Sequence, residues 1–67
     1  MDTIKRVQDL MQAHDMNLCV LAKKCGISYS TIQTTARRGG QLSGETIERI
    51  CLGLGITLKD FFDSSYL

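Results

Sequence analysis

A chain of 67 residues holds one domain at most, because domains typically run to about 100–150 residues. It hides only about 60% of its unfolded surface, which leaves little room for an enclosed active-site cavity. Its 43% hydrophobic and 22% charged residues exclude a disordered chain, and no apolar run approaches the ~20 residues that a membrane-spanning helix needs. The net charge of +1 is unevenly spread. Residues 1–40 carry Lys5, Arg6, Lys23, Lys24, Arg37 and Arg38 against Asp2, Asp9 and Asp15. Residues 41–67 carry Arg49 and Lys59 against Glu45, Glu48, Asp60 and Asp63. A basic front and an acidic back suit a polyanion approaching from one side, although an ordinary solvated surface accounts for them equally.

Cys19, Cys25 and Cys51 are an odd number with no C-x-x-C pair, which argues for a reducing cytoplasm rather than a secreted disulfide scaffold. The start, Met1-Asp2-Thr3-Ile4-Lys5, lacks the apolar core of a signal peptide. The expectation is one cytoplasmic domain over residues 1–67, complete in itself, without membrane attachment.

Along the chain, Ile4, Val7, Leu10, Met11 and His14 recur at helical spacing and predict a first helix over about residues 3–14. Asn17 is a good N-cap for a second, whose stripe is Leu18, Leu21, Ala22 and Cys25. Cys25-Gly26-Ile27-Ser28 then combines a glycine stop, an isoleucine packing back on the last turn and a hydroxyl cap for the next helix. Leu54-Gly55-Ile56-Thr57 repeats the device, with Asp60 placed to complete a box-like cap. Between these signals, a third helix runs from Ser28 to about Arg37 and is closed by Gly39-Gly40, a pair that predicts a mobile loop. A fourth, capped by Ser43, carries Ile47, Ile50, Cys51 and Leu54. Thr57 caps a short fifth with Leu58, Phe61 and Phe62 on one face. Nothing alternates with period two for long enough to argue a strand, so the fold class is all-α with five helices.

Helices two and three are joined by a very short turn, the helix-turn-helix arrangement in which the second helix enters the DNA major groove. Helix three places Ile32 and Ala36 inward, with Tyr29 at the edge. Its opposite face carries Ser30, Gln33, Thr34 and Arg37 at i, i+3, i+4 and i+7. Base edges are read by donors and acceptors and phosphates by Arg and Lys, so that face suits a groove. A plain solvated face has the same look.

The segment Asn17-Leu-Cys-Val-Leu-Ala-Lys-Lys-Cys-Gly-Ile-Ser-Tyr-Ser-Thr-Ile32 resembles the helix-turn-helix signature of the phage repressor and Cro (XRE-type) family, through Leu21, Ala22, Gly26, Ile27, Ser28 and Ile32. Ser43-Gly-Glu-Thr-Ile47 and Ile50-Cys-Leu-Gly-Leu-Gly-Ile-Thr-Leu58 resemble its fourth helix and the link to its fifth, with no insertion or deletion between the blocks. The resemblance implies a repressor-like transcription regulator of bacterial or phage type that binds operator DNA as a homodimer. It places base and phosphate contacts at Ser28, Tyr29, Ser30 and Thr34. Gln33 and Arg37 join them from the face argument, and Arg38 as a second cation at the end of the helix. Leu18 departs from the pattern, standing where many relatives have a phosphate-touching glutamine, and is expected in the apolar stripe instead. Thr35 replaces a usually apolar residue and Ala36 one that is often glutamate.

Other chemistry finds less support. His14 and the three cysteines match no common zinc spacing, so no metal or cofactor is expected. A thiol enzyme would need an oxyanion donor and an orienting residue that the sequence does not suggest, so no enzymatic activity is expected. The rival class is a protein-interaction or antitoxin-like module, for which Leu18 and Val20 at the front of helix two would supply apolar contact. The surplus apolar groups for a dimer are Phe61, Phe62, Tyr66 and Leu67, because a helix this short cannot bury both phenylalanines.

Overall fold

A computed structural model describes residues 2–63. Five helices follow in order: α1 Thr3–Ala13, α2 Leu18–Cys25, α3 Tyr29–Arg37, α4 Gly44–Leu54 and α5 Leu58–Phe62. The described residues contain no strand, and no helix among them is long and apolar enough to cross a membrane. Starts are set by side chains that accept the first free N–H groups. Asp2 Oδ1 accepts from Lys5 N–H at 3.0 Å, Asn17 Oδ1 from Val20 N–H at 2.9 Å, and Ser43 Oγ from Thr46 N–H at 3.2 Å. Thr57 and Asp60 form the full reciprocal capping box. Ser28 departs from the expectation: its backbone is extended as in an N-cap, but its hydroxyl makes no cap hydrogen bond.

The ends of α1 to α4 share one device. Gly26, Gly39 and Gly55 take φ of 66°, 68° and 71°. In each case the next N–H reaches back over the last turn: Ile27 to the carbonyl of Ala22, Gly40 to Thr35 and Ile56 to Cys51, all at 3.0 Å. Asp15 performs the same task at the end of α1, at φ 53°, with Met16 N–H on the carbonyl of Met11. Aspartate is among the few side chains that visit this region routinely.

The core gathers one stripe from every helix: Val7 and Leu10 of α1, Leu21 and Cys25 of α2, Ile32 of α3, Ile47, Ile50 and Cys51 of α4, and Phe61 of α5. Phe61 is fully buried, which removes it from the expected dimer surplus, whereas Phe62 stays 38% exposed. The two rings meet edge to face at 5.1 Å. Tyr66 and Leu67 lie outside the described residues. Ala36, expected inward, is exposed; Ile32, four residues before it, supplies the buried contact of α3, and Thr35 takes the half-buried position beside it.

The loop after α3 is tied to the start of α1 by hydrogen bonds. Gln41 Oε1 accepts from both the N–H and the hydroxyl of Thr3, at 2.9 and 2.8 Å. The same hydroxyl oxygen accepts from Leu42 N–H at 2.9 Å, and both Thr3 and Leu42 are buried. A second cross-link joins α1 to α5. Arg6 Nε and Nη2 donate to the carbonyls of Phe61 and Asp60 at 2.8 and 2.9 Å, placing a cation at the negative end of α5.

α2 and α4 make the most extensive helix–helix contact, and Gly53 permits it. A Cβ on Gly53 would lie 2.5 Å from Cys25 Sγ and 2.9 Å from Cys25 Cα. Gly53→Ala is therefore expected to destabilise the fold by about 1–3 kcal/mol through overpacking, against the ~1 kcal/mol that alanine gains in an unconstrained helix. Urea unfolding of the variant checks the sign.

Candidate nucleic-acid interface

The placement of α3 starts at Gly26. Its left-handed backbone turns the chain within Gly26–Ser28, and Ile27 packs half-buried against the core. Arg49 on α4 holds the turn from outside, donating from Nη1 to the Gly26 carbonyl at 3.0 Å while Nη2 meets Glu45 Oε1 at 3.2 Å. Ala22, 6% exposed, fills the inner side of α2 just before the turn. α3 thus leaves the turn with Ile32 inward and its other flanks in solvent.

Every residue proposed from the sequence as a contact is exposed: Ser28, Tyr29, Ser30, Gln33, Thr34, Arg37 and Arg38. All seven lie on α3 or its caps, over about three turns, with Ser28 as the N-cap and Arg38 as the C-cap. The uncapped hydroxyl of Ser28 and the free N–H groups of the first turn make this helix start a donor-rich end. Thr31, which the face argument passed over, is also exposed beside Ser30 and Thr34. Its position in the first turn, where donors and acceptors meet a groove, was the available signal. Thr35 resolves its departure from the apolar pattern by donating its hydroxyl to the Thr31 carbonyl at 2.9 Å.

Tyr29 and Gln33 are not independent. Gln33 Nε2 donates to the Tyr29 hydroxyl oxygen at 2.7 Å, across one turn of the exposed face. Behind Gln33 a shallow groove of about 290 Å³ runs between α1 and α3, with Leu18 in its wall. Leu18 packs against the core as its place in the apolar stripe predicts, so it offers no polar group to a phosphate.

Six of the eight cations fall into two sets. Arg6 and Arg49 are bound to backbone carbonyls and to Asp9 and Glu45, which takes Arg6 out of the basic front. Arg37, Arg38, Lys23 and Lys24 are exposed, and none of the four forms an ion pair among the described residues. A nine-residue helix with a polar row and terminal cations has the diameter, about 10–12 Å, that the ~12 Å major groove accepts.

A family model described as a Cro/C1-type HTH DNA-binding domain matches residues 6–64. The chain belongs to this family. The match spans all of α2 to α5 and most of α1, including the turn at Gly26. No curated protein and no solved structure gives a match. Membership makes the protein a DNA-binding domain of the kind found in regulators, in a family that is typically non-enzymatic.

The cysteines sit accordingly. Cys25 and Cys51 are buried on the α2 and α4 stripes and Cys19 is exposed. Burial pushes the Cys25 and Cys51 thiols above their ordinary value of 9.0; the Lys24 charge opposes this at Cys25 without reversing it, and the Asp60 and Glu48 carboxylates reinforce it at Cys51. The folded thiols hold their protons to higher pH than unfolded thiols, which ionise around the ordinary value of 9.0, so stability falls as pH rises past that value. Iodoacetamide is expected to label Cys19 alone in the folded protein and all three in urea, as read by mass spectrometry.

Proposed function

We infer that this protein is a sequence-specific, repressor-like transcription regulator that reads duplex DNA with α3 in the major groove. The observation that carries the reading is the exposed row Ser30, Gln33, Thr34 and Arg37, set opposite buried Ile32 on the second helix of the family's helix-turn-helix. Gln33, Thr34 and Ser30 supply donors and acceptors for base edges. Ser28 and the N–H groups of the first turn lie where the nearer phosphates pass, Tyr29 stands beside Gln33 toward the bases, and Arg37 and Arg38 lie where the farther phosphates do. The domain, taken as residues 1–67, acts in the cytoplasm by occupying an operator.

A single unit reads only a few base pairs, which cannot mark a site among ~10⁶ or more competitors. A two-fold homodimer solves this, with half-sites about 10–10.5 base pairs apart. Its contact is assigned to the exposed apolar residues at the acidic end, Leu58 and Phe62, which border a groove with Ile47, Glu45 and Glu48. Val20 and Leu52 are exposed too, at 47% and 83%, and favour a protein-binding module as the rival. Such a module should show no salt-dependent binding to duplex DNA.

Selection of bound sequences from a random duplex pool tests the reading. A palindrome is expected, and no enrichment at any salt concentration would sink the regulator model. Arg37→Ala and Arg38→Ala should weaken all duplexes alike, each lowering the slope of log K against log salt by about one. Full slopes in both variants would refute the docking orientation. Leu58→Glu or Phe62→Glu should leave the fold intact but give one protein per duplex with a single-half-site footprint by sedimentation and protection. Two-fold occupancy in both variants would move the dimer contact elsewhere.

A further inference from the structure

The exposed face of α3 contains one polar pair that is already joined before any ligand arrives. Gln33 Nε2 donates to Tyr29 Oη at 2.7 Å, and the two residues are four apart, directly above one another on the helix. An exposed glutamine ordinarily turns its carboxamide freely, exchanging the oxygen and nitrogen ends. Here one N–H is spent on the tyrosine, so the remaining functional edge is defined. It consists of Oε1, an acceptor, and the second N–H, a donor. The Tyr29 O–H, which acts as acceptor toward Gln33, keeps its own proton for a further partner.

An acceptor beside a donor is complementary to one purine. Adenine shows an N7 acceptor and an N6 amino donor in the major groove, whereas guanine shows two acceptors, N7 and O6. A carboxamide free to turn can offer guanine an N–H alone. Held by Tyr29, it also points Oε1 at the purine's O6 position, where two acceptors repel. The rigid ring of Tyr29, 39% exposed, is a stiffer support than a second long side chain, and the ordering cost is met before binding.

We propose that Tyr29 and Gln33 act as one reading unit, in which the tyrosine hydroxyl is the positioning group that makes Gln33 select adenine over guanine. The inference rests on the DNA-binding reading above and adds to it the base and the residue that enforces the choice.

The test compares wild type, Tyr29→Phe and Gln33→Ala in base-preference profiles on duplexes varied one position at a time. Wild type is expected to favour adenine over guanine at one position of each half-site by about 5- to 150-fold, the range of a bidentate contact. Tyr29→Phe should cut that ratio at least threefold at that position, leaving other positions and the melting temperature unchanged. Gln33→Ala should erase it at the same position. An unchanged profile for Tyr29→Phe overturns the proposal, as does equal weakening on every duplex, which would make the hydroxyl a phosphate contact. A second readout needs no DNA: the Gln33 side-chain amide protons of the free protein should shift in Tyr29→Phe, and identical spectra would overturn the pairing. Failure of wild type to bind any duplex in a salt-dependent way overturns the regulator reading itself. Wild-type binding with an unaltered Tyr29→Phe profile overturns this inference alone.

Discussion

The contact on which this fold depends is the approach of α4 to α2 at Gly53. The missing side chain lets the α4 backbone lie against Cys25, and that proximity brings Arg49 within reach of the Gly26 carbonyl. The turn is thereby held from two sides, by the left-handed glycine within it and by the guanidinium outside it. The direction of α3 follows from the turn. A change at Gly53 thus acts on α3 through α2 and Arg49, even though Gly53 lies on neither helix of the motif.

A domain of this size has a small core, and hydrogen bonds to chain ends carry part of its definition. Four helix starts are capped by side chains, and Arg6 and Gln41 each join segments far apart in sequence. Each such bond contributes on the order of 0.5–1.5 kcal/mol net, a sizeable share of the stability of a short chain. The start of α3 is left without a side-chain cap. Side-chain caps are concentrated on the other four helices while the start of α3 keeps its donors free, and the same division separates the arginines that bind carbonyls from those that face solvent.

The acidic end has its own logic. α5 is only five residues long, and its two phenylalanines cannot share one face, so Phe61 fills the core and Phe62 remains at the surface with Leu58. Burial of Phe61 aligns the Phe61 and Asp60 carbonyls with Arg6, which ties this end to α1. The exposed apolar pair therefore stands on an anchored helix.

Much of this was legible in the residues themselves. Glycines 26 and 55, each followed by isoleucine, and the caps Asn17, Ser43 and Thr57 determine the helix limits by local chemistry, because the groups they satisfy lie within one turn. Periodicity likewise determined which faces of α1, α2 and α4 turn inward, and the spacing around Gly26 determined the motif that the family comparison supports. Asp15 escaped notice because a left-handed aspartate has no distinctive neighbour pattern. What tertiary structure decided were contacts between residues distant in the chain. Nothing near Arg6 in sequence says that it binds the end of α5, nor does anything near Gln41 say that it holds Thr3. A lone glycine in a helical run does not say which neighbour it admits, and an apolar Ala36 does not say that the helix rolls far enough to expose it. Such outcomes depend on how five helices fill one volume, and only the assembled fold contains that information.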